Sequence, residues 1–128
     1  MSTVTQFAET IGDFGRDVRL NLSSVLTEEG APGLNKQQLW GIALATAYYT
    51  KDKDLVEAVA ADANLSPEYK TAAQAAATIM AMNNIYYRFN RMVSDKEITT
   101  LPARLRMNVI GKPGIEKVDF ELMCIAVS

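Results

Sequence analysis

The 128 residues include one cysteine, Cys124, no histidine and no Cys-x-x-Cys pair. These absences constrain the chemistry more than any residue present. A Ser–His or Cys–His couple cannot be assembled from these residues. A zinc site of His/Cys type is excluded in the same way. The expectation is therefore no metal and no bound cofactor. Acid–base work must fall to Asp, Glu, Lys or Tyr. Cys124 cannot close a disulfide within the chain. Its neighbours Met123, Ile125, Ala126 and Val127 are apolar, and burial among such groups raises a thiol pKa. It reads as a packed, inert cysteine. Glu121, by residue type alone, reads as a solvated carboxylate in the first turn of a helix. Arg104 and Arg106 read as makers of ion pairs or helix C-terminal contacts, in preference to an anion site.

The elements that must position these groups are helices. Phe7, Ile11 and Phe14 form a one-sided stripe, weakened or divided by Gly12 and Gly15. A second short helix is predicted over about 16–26, with Val18, Leu22 and Val25 inward. Glu28 to Gly33 reads as a loop. Asn35 is an N-cap with Gln38 three residues on, a capping box. The helix that follows carries Leu39, Trp40, Ile42, Ala43, Leu44 and Ala47 and should be central. Another begins near Asp52, with Leu55, Val56 and Val59 inward. Ser66-Pro67-Glu68 is the clearest start: a cap, a first-position proline and an acid at the positive end of the dipole. From Lys70 to Met92 there is no Gly or Pro. Ala72, Ala73, Ala75, Ala76 and Ala77 let another helix approach closely, and Ile79, Met80, Met82, Ile85, Tyr86 and Phe89 widen the apolar face. Asn83-Asn84 within it predicts a bend or boundary. A last helix starts near Glu116 or Lys117 and runs through Phe120, Leu122, Met123, Ile125, Ala126 and Val127. It meets no stop signal at Ser128 and reads as interrupted there. Met107 to Ile110 could be extended, but has no partner strand. The fold class is all-α, with residues 1–128 as a single helical domain.

Composition agrees. The 48% hydrophobic and 22% charged content suits one packed core. A net charge of -2, without a Lys/Arg run, argues against nucleic acid and against a polybasic membrane patch. Met1 to Thr10 lacks the pattern of a signal peptide, and no apolar run is long enough to span a bilayer. A soluble, cytoplasmic protein is expected.

Five segments, in order, resemble the alkylhydroperoxidase D family of the carboxymuconolactone decarboxylase-like superfamily. They are Arg19-Leu20-Asn21-Leu22-Ser23-Ser24, Gln38-Leu39-Trp40-Gly41, Ala77 to Phe89 with its Met82-Asn83-Asn84, Leu105 to Ile110 with Pro113-Gly114, and Phe120-Glu121-Leu122 leading to Ala126-Val127-Ser128. The resemblance covers the whole chain. It implies a helical fold, compact oligomers that are often trimers, and reduction of hydroperoxides by a cysteine pair. It also implies electron transfer from dihydrolipoyl groups to a peroxiredoxin partner, with an external dithiol such as dihydrolipoamide as reductant. The family's pair lies in a Cys-x-x-Cys motif, with a histidine four residues after the second cysteine, a few residues beyond the stretch that Ala126-Val127-Ser128 matches. By the same resemblance Glu121 is a proton-relay residue. A carboxylate amid Phe120, Leu122 and Met123 should then be partly desolvated and more basic.

The expectation is the amino-terminal part of a thiol-dependent hydroperoxide reductase, inactive by itself because the thiol pair and histidine are not among these residues. The competing expectation is a non-catalytic helical protein that uses the same fold for oligomerisation or partner binding.

Overall fold

A computed structural model describes all residues, 1–128, and contains eight α-helices and no strand. They are α1 (Thr3–Glu9), α2 (Arg16–Val25), α3 (Lys36–Thr50), α4 (Lys53–Ala63), α5 (Pro67–Met92), α6 (Lys96–Thr99), α7 (Asn108–Gly111) and α8 (Lys117–Val127). A single 3-10 turn, Asp13–Gly15, joins α1 to α2. The all-α expectation holds. No helix is long and apolar enough to cross a membrane.

The helix starts follow the capping residues in the sequence. Asn35 accepts from the Gln38 backbone N–H at 2.8 Å, and the Gln38 side chain accepts from the Asn35 N–H at 3.1 Å. Both halves of the capping box are therefore made. Asp52 caps α4 through the Leu55 N–H. Ser66 caps α5 through the Tyr69 N–H, with Pro67 in the first position. Lys51 and Asn64 close α3 and α4 in the left-handed conformation. At the far end of the sequence α8 starts at Lys117 as expected, but Glu116 supplies no side-chain cap.

At the centre α3 packs on α5, α8 and α4, and α5 packs on α8. Leu44, Ala45, Ala72, Ala73, Ala76, Phe120 and Met123 are completely buried. The alanines bring the helix backbones close, and the large Phe120 and Met123 fill what remains. At Gly41 of α3 the Met123 side chain of α8 takes the space of a missing side chain: a Cβ there would lie 2.5 Å from Met123 Cε. On the outside, α1 rests on α4 and α2. Asp62 of α4 holds the start of α1 by accepting from the Thr3 N–H, the Thr3 hydroxyl and the Val4 N–H. Burial pushes the Asp62 carboxyl up, but the bonds from Val4 and Thr3 outweigh it and hold the carboxyl below its ordinary value.

Several inward assignments need correction. Phe14 is 98% exposed and Val18 62%, and Val25 is exposed as well. Only Leu22 of that short helix packs against the core. In α5 the apolar face is buried as far as Ala77, whereas Ile85 and Phe89 are exposed. The cause is geometric: α5 outruns its neighbours, so its second half has less to pack against. Asn83-Asn84 does not break α5, which runs unbroken through the pair. Met107 to Ile110 is not extended; it leads into and forms part of the short α7.

Candidate functional site

The site is built on α8. One stripe of this helix, Phe120, Met123 and Val127, faces the core. Glu121 lies on the outer side and is exposed. The expected partial desolvation of this carboxylate is therefore not found. The physical reason is rotational phase. The buried stripe places Phe120 fully inside, and successive residues turn by about 100° around a helix, so Glu121 emerges into solvent although apolar residues flank it in sequence.

Cys124 lies one turn further along, where i and i+3 side chains are neighbours. It is half-buried, packed against the core and unpaired. Burial pushes its thiol up, and the Glu121 charge adds to that effect. This agrees with a packed, unreactive cysteine.

Asp119, which sequence reasoning passed over, is the buried acid of this region. It is 6% exposed, the one charged residue in the buried set. Its Oδ2 accepts from the Tyr69 hydroxyl at 2.5 Å, and its Oδ1 accepts from Gln38 Nε2 at 2.9 Å. The three residues occupy the same place in three helices. Gln38, Tyr69 and Asp119 each stand three residues after the N-cap, at Asn35, Ser66 and Glu116 respectively. The first turns of α3, α5 and α8 thus meet around one carboxylate. Helix N-termini carry partial positive charge, and two neutral donors complete the compensation, so the acid is accommodated without a cation. In return Tyr69 is pushed up to about 12, first by its hydrogen bond to Asp119, then by burial and by the Asp119 and Glu116 charges. Tyr69 is therefore a fixed donor near neutral pH, and no candidate base.

The other end of α8 is held by Asn84 of α5. Its Nδ2 donates to the Val127 carbonyl at 2.7 Å and to the Tyr49 hydroxyl at 3.0 Å. Asn83 donates weakly to Met80 Sδ at 3.9 Å, and its buried Oδ1 has no partner. Asn84 therefore serves tertiary contacts instead of a bend, while Asn83 bonds only within α5. An open groove of about 500 Å³ runs between α3 and α5 past Tyr48, Tyr49 and Thr78. Neither Glu121 nor Cys124 lines it. Arg104 and Arg106 are exposed, and neither makes an ion pair. No group of three or more His, Cys, Asp or Glu is arranged to hold a metal ion.

Fold and site together define an all-α protein whose last helix presents one exposed carboxylate above a half-buried thiol. No family model matches the chain. Individual relatives do. The chain is 48% identical over 124 residues to the alkyl hydroperoxide reductase AhpD of Coxiella burnetii (strain RSA 493 / Nine Mile phase I), covering 95% of this chain and 70% of the relative. It is 49% identical over 128 residues to the AhpD of Rhodopseudomonas palustris (strain BisA53), covering 98% and 69%. It is 52% identical over 120 residues to that of Streptomyces avermitilis, covering 92% and 66%. The chain belongs to the AhpD family of alkyl hydroperoxide reductases.

Proposed function

We propose that these residues form the scaffold of a thiol-dependent hydroperoxide reductase, and that Glu121 is its proton-relay group. The relation to the family supports the reading, with Glu121 standing in the Phe120-Glu121-Leu122 segment by which the chain resembles it. Its exposure on α8 leaves the carboxylate open to a thiol that these residues do not supply.

The chemistry needs two thiols. A thiolate attacks the outer peroxide oxygen; the O–O bond breaks, the alkoxide leaves and takes a proton as alcohol, and the cysteine becomes a sulfenic acid. A second thiol then displaces water and closes a disulfide. An external dithiol returns two electrons by exchange and reopens it. Glu121 would accept the proton that leaves the attacking thiol. The single Cys124 cannot complete this cycle, since it has no second thiol in the chain and its own thiol is held up by burial. The pair and its histidine would be contributed by residues other than these 128. The family relation supports dihydrolipoyl groups as reductant, a peroxiredoxin as electron acceptor, a trimeric assembly and a cytoplasmic setting.

The test is Glu121→Gln in a family chain that carries the cysteine pair. A loss of turnover of about 10²-fold or more, the usual range for a proton-transfer group, supports the relay. Unchanged turnover and unchanged thiol reactivity end it.

A second reading has its own observation. Ile85, Phe89 and Met92 on α5 and Ile125 on α8 are exposed apolar residues, and such residues favour association. On that reading the chain is a non-catalytic oligomerisation or partner-binding protein. A reading frame that continues into Cys-x-x-Cys supports the enzyme; a stop codon directly after Ser128 supports the second reading.

A further inference from the structure

An apolar stripe attracts without direction. Phe120, Met123 and Val127 bury α8 against α3 and α5, but apolar contacts by themselves do not single out one rotation of the helix. Rolling matters for any side chain on the far side. With a backbone radius of about 2.3 Å and a side chain reaching several ångströms further, a roll of about 20° moves a carboxylate by about 2 Å. A misplacement of about 1 Å can cost a reaction about a hundredfold.

Hydrogen bonds have direction, and two sets of them hold α8. At its start Asp119 is gripped by Tyr69 and Gln38. Gln38 is itself held, because its Oε1 serves the α3 capping box. At its end Val127 O is gripped by Asn84. The first grip carries the greater demand. Asp119 is buried, and if one donor is lost a buried charge is left short of partners. The absence of a side-chain cap at Glu116 leaves α8 with no other polar fixture at that end.

We propose that Asp119, clamped by Tyr69 and Gln38, is a positioning residue that sets the rotation of α8 and thereby the place of Glu121. The proposal rests on the relay reading of Glu121 for its functional meaning. The clamp itself is a property of this chain's three helix starts.

Cys124 is a built-in reporter. It stands on the same helix as Glu121 and is half-buried against the core, so a roll of α8 carries both residues and changes how far the thiol is covered, while their mutual spacing stays fixed. The experiment measures iodoacetamide alkylation of Cys124 near neutral pH in the folded 128-residue protein. Tyr69→Phe should change that rate several-fold, and Asp62→Asn, which loosens α1 instead, should leave it unchanged. If Tyr69→Phe only lowers the melting temperature and leaves the rate as it was, the clamp gives stability alone and the proposal is overturned. An equal change in Asp62→Asn would mean that the rate follows stability, and overturns it as well. Should Tyr69→Phe fail to fold, Asp119→Asn replaces it: that side chain still accepts from Tyr69 but offers N–H to Gln38. A smaller change in rate in the same direction is expected there, and an unchanged rate counts against the clamp. Peroxide turnover of a chain carrying the cysteine pair tests the relay separately, because Cys124 alkylation does not involve that pair.

Discussion

Tyr69 donates its hydroxyl to Oδ2 of Asp119 at 2.5 Å, and the two residues hold the same place in the first turns of α5 and α8. Fifty residues of chain separate them. This contact joins the two helices at their starts and gives the core its one buried charge.

Tyr69→Phe should destabilise the protein by about 1–3 kcal/mol, the usual cost of leaving a buried acceptor short of a donor. Urea unfolding near pH 7 measures it. The same bond predicts an alkaline limit. Tyr69 is held at about 12 in the fold and returns to about 10 when unfolded. Its raised value favours the neutral form, so its contribution is complete below about pH 10 and is lost as pH rises from about 10 to about 12. Tyr69→Phe should flatten that part of the stability profile.

Asp62 predicts the acid limit. Its carboxyl is held below 3.8 by the α1 backbone and Thr3. A lowered value means stability that is present above pH 3.8 and lost as pH falls through the folded value. Asp62→Asn should remove that dependence and loosen α1 first, which amide exchange at Thr3 and Val4 would show.

The phase of α8 can be checked by a pair of substitutions. Phe120 is fully buried and Ile125 is 69% exposed. Phe120→Ala should cost about 3–5 kcal/mol, and Ile125→Ser should stay within about 0.5 kcal/mol. Equal costs would mean that α8 is turned differently.

Cys124 should react slowly. With its thiol pushed up by burial and by Glu121, alkylation of the folded protein at pH 7 should be slower than that of the urea-unfolded chain. Faster reaction in the fold would contradict the inert assignment.

What could be read from the sequence was local. The Asn35–Gln38 box and the Ser66-Pro67 start depend on residues within one turn, and both are found as expected. The alanines between Ala72 and Ala77 point to a close helix contact, because small side chains let two helix backbones approach. Spacing alone could not say how far each stripe stays covered. Val18 and Phe89 have the right periodicity, yet no neighbour reaches them. Asp119 was missed for the same reason. Its partners lie 50 and 81 residues away, and nothing adjacent marks it as buried. The available signal was positional: Gln38, Tyr69 and Asp119 each fall three residues past a helix start. Glu121 was expected half-buried because its sequence neighbours are apolar, but in a helix those neighbours face elsewhere.

The proposed function gives these residues the scaffold and the Glu121 relay, and assigns the redox thiols to residues other than these 128. The direct measurement is hydroperoxide-dependent oxidation of dihydrolipoamide by the purified 128-residue protein. No turnover above the uncatalysed rate is the predicted result. Robust turnover, with Cys124 as the only thiol present, would show that these residues carry the chemistry themselves and would overturn that assignment.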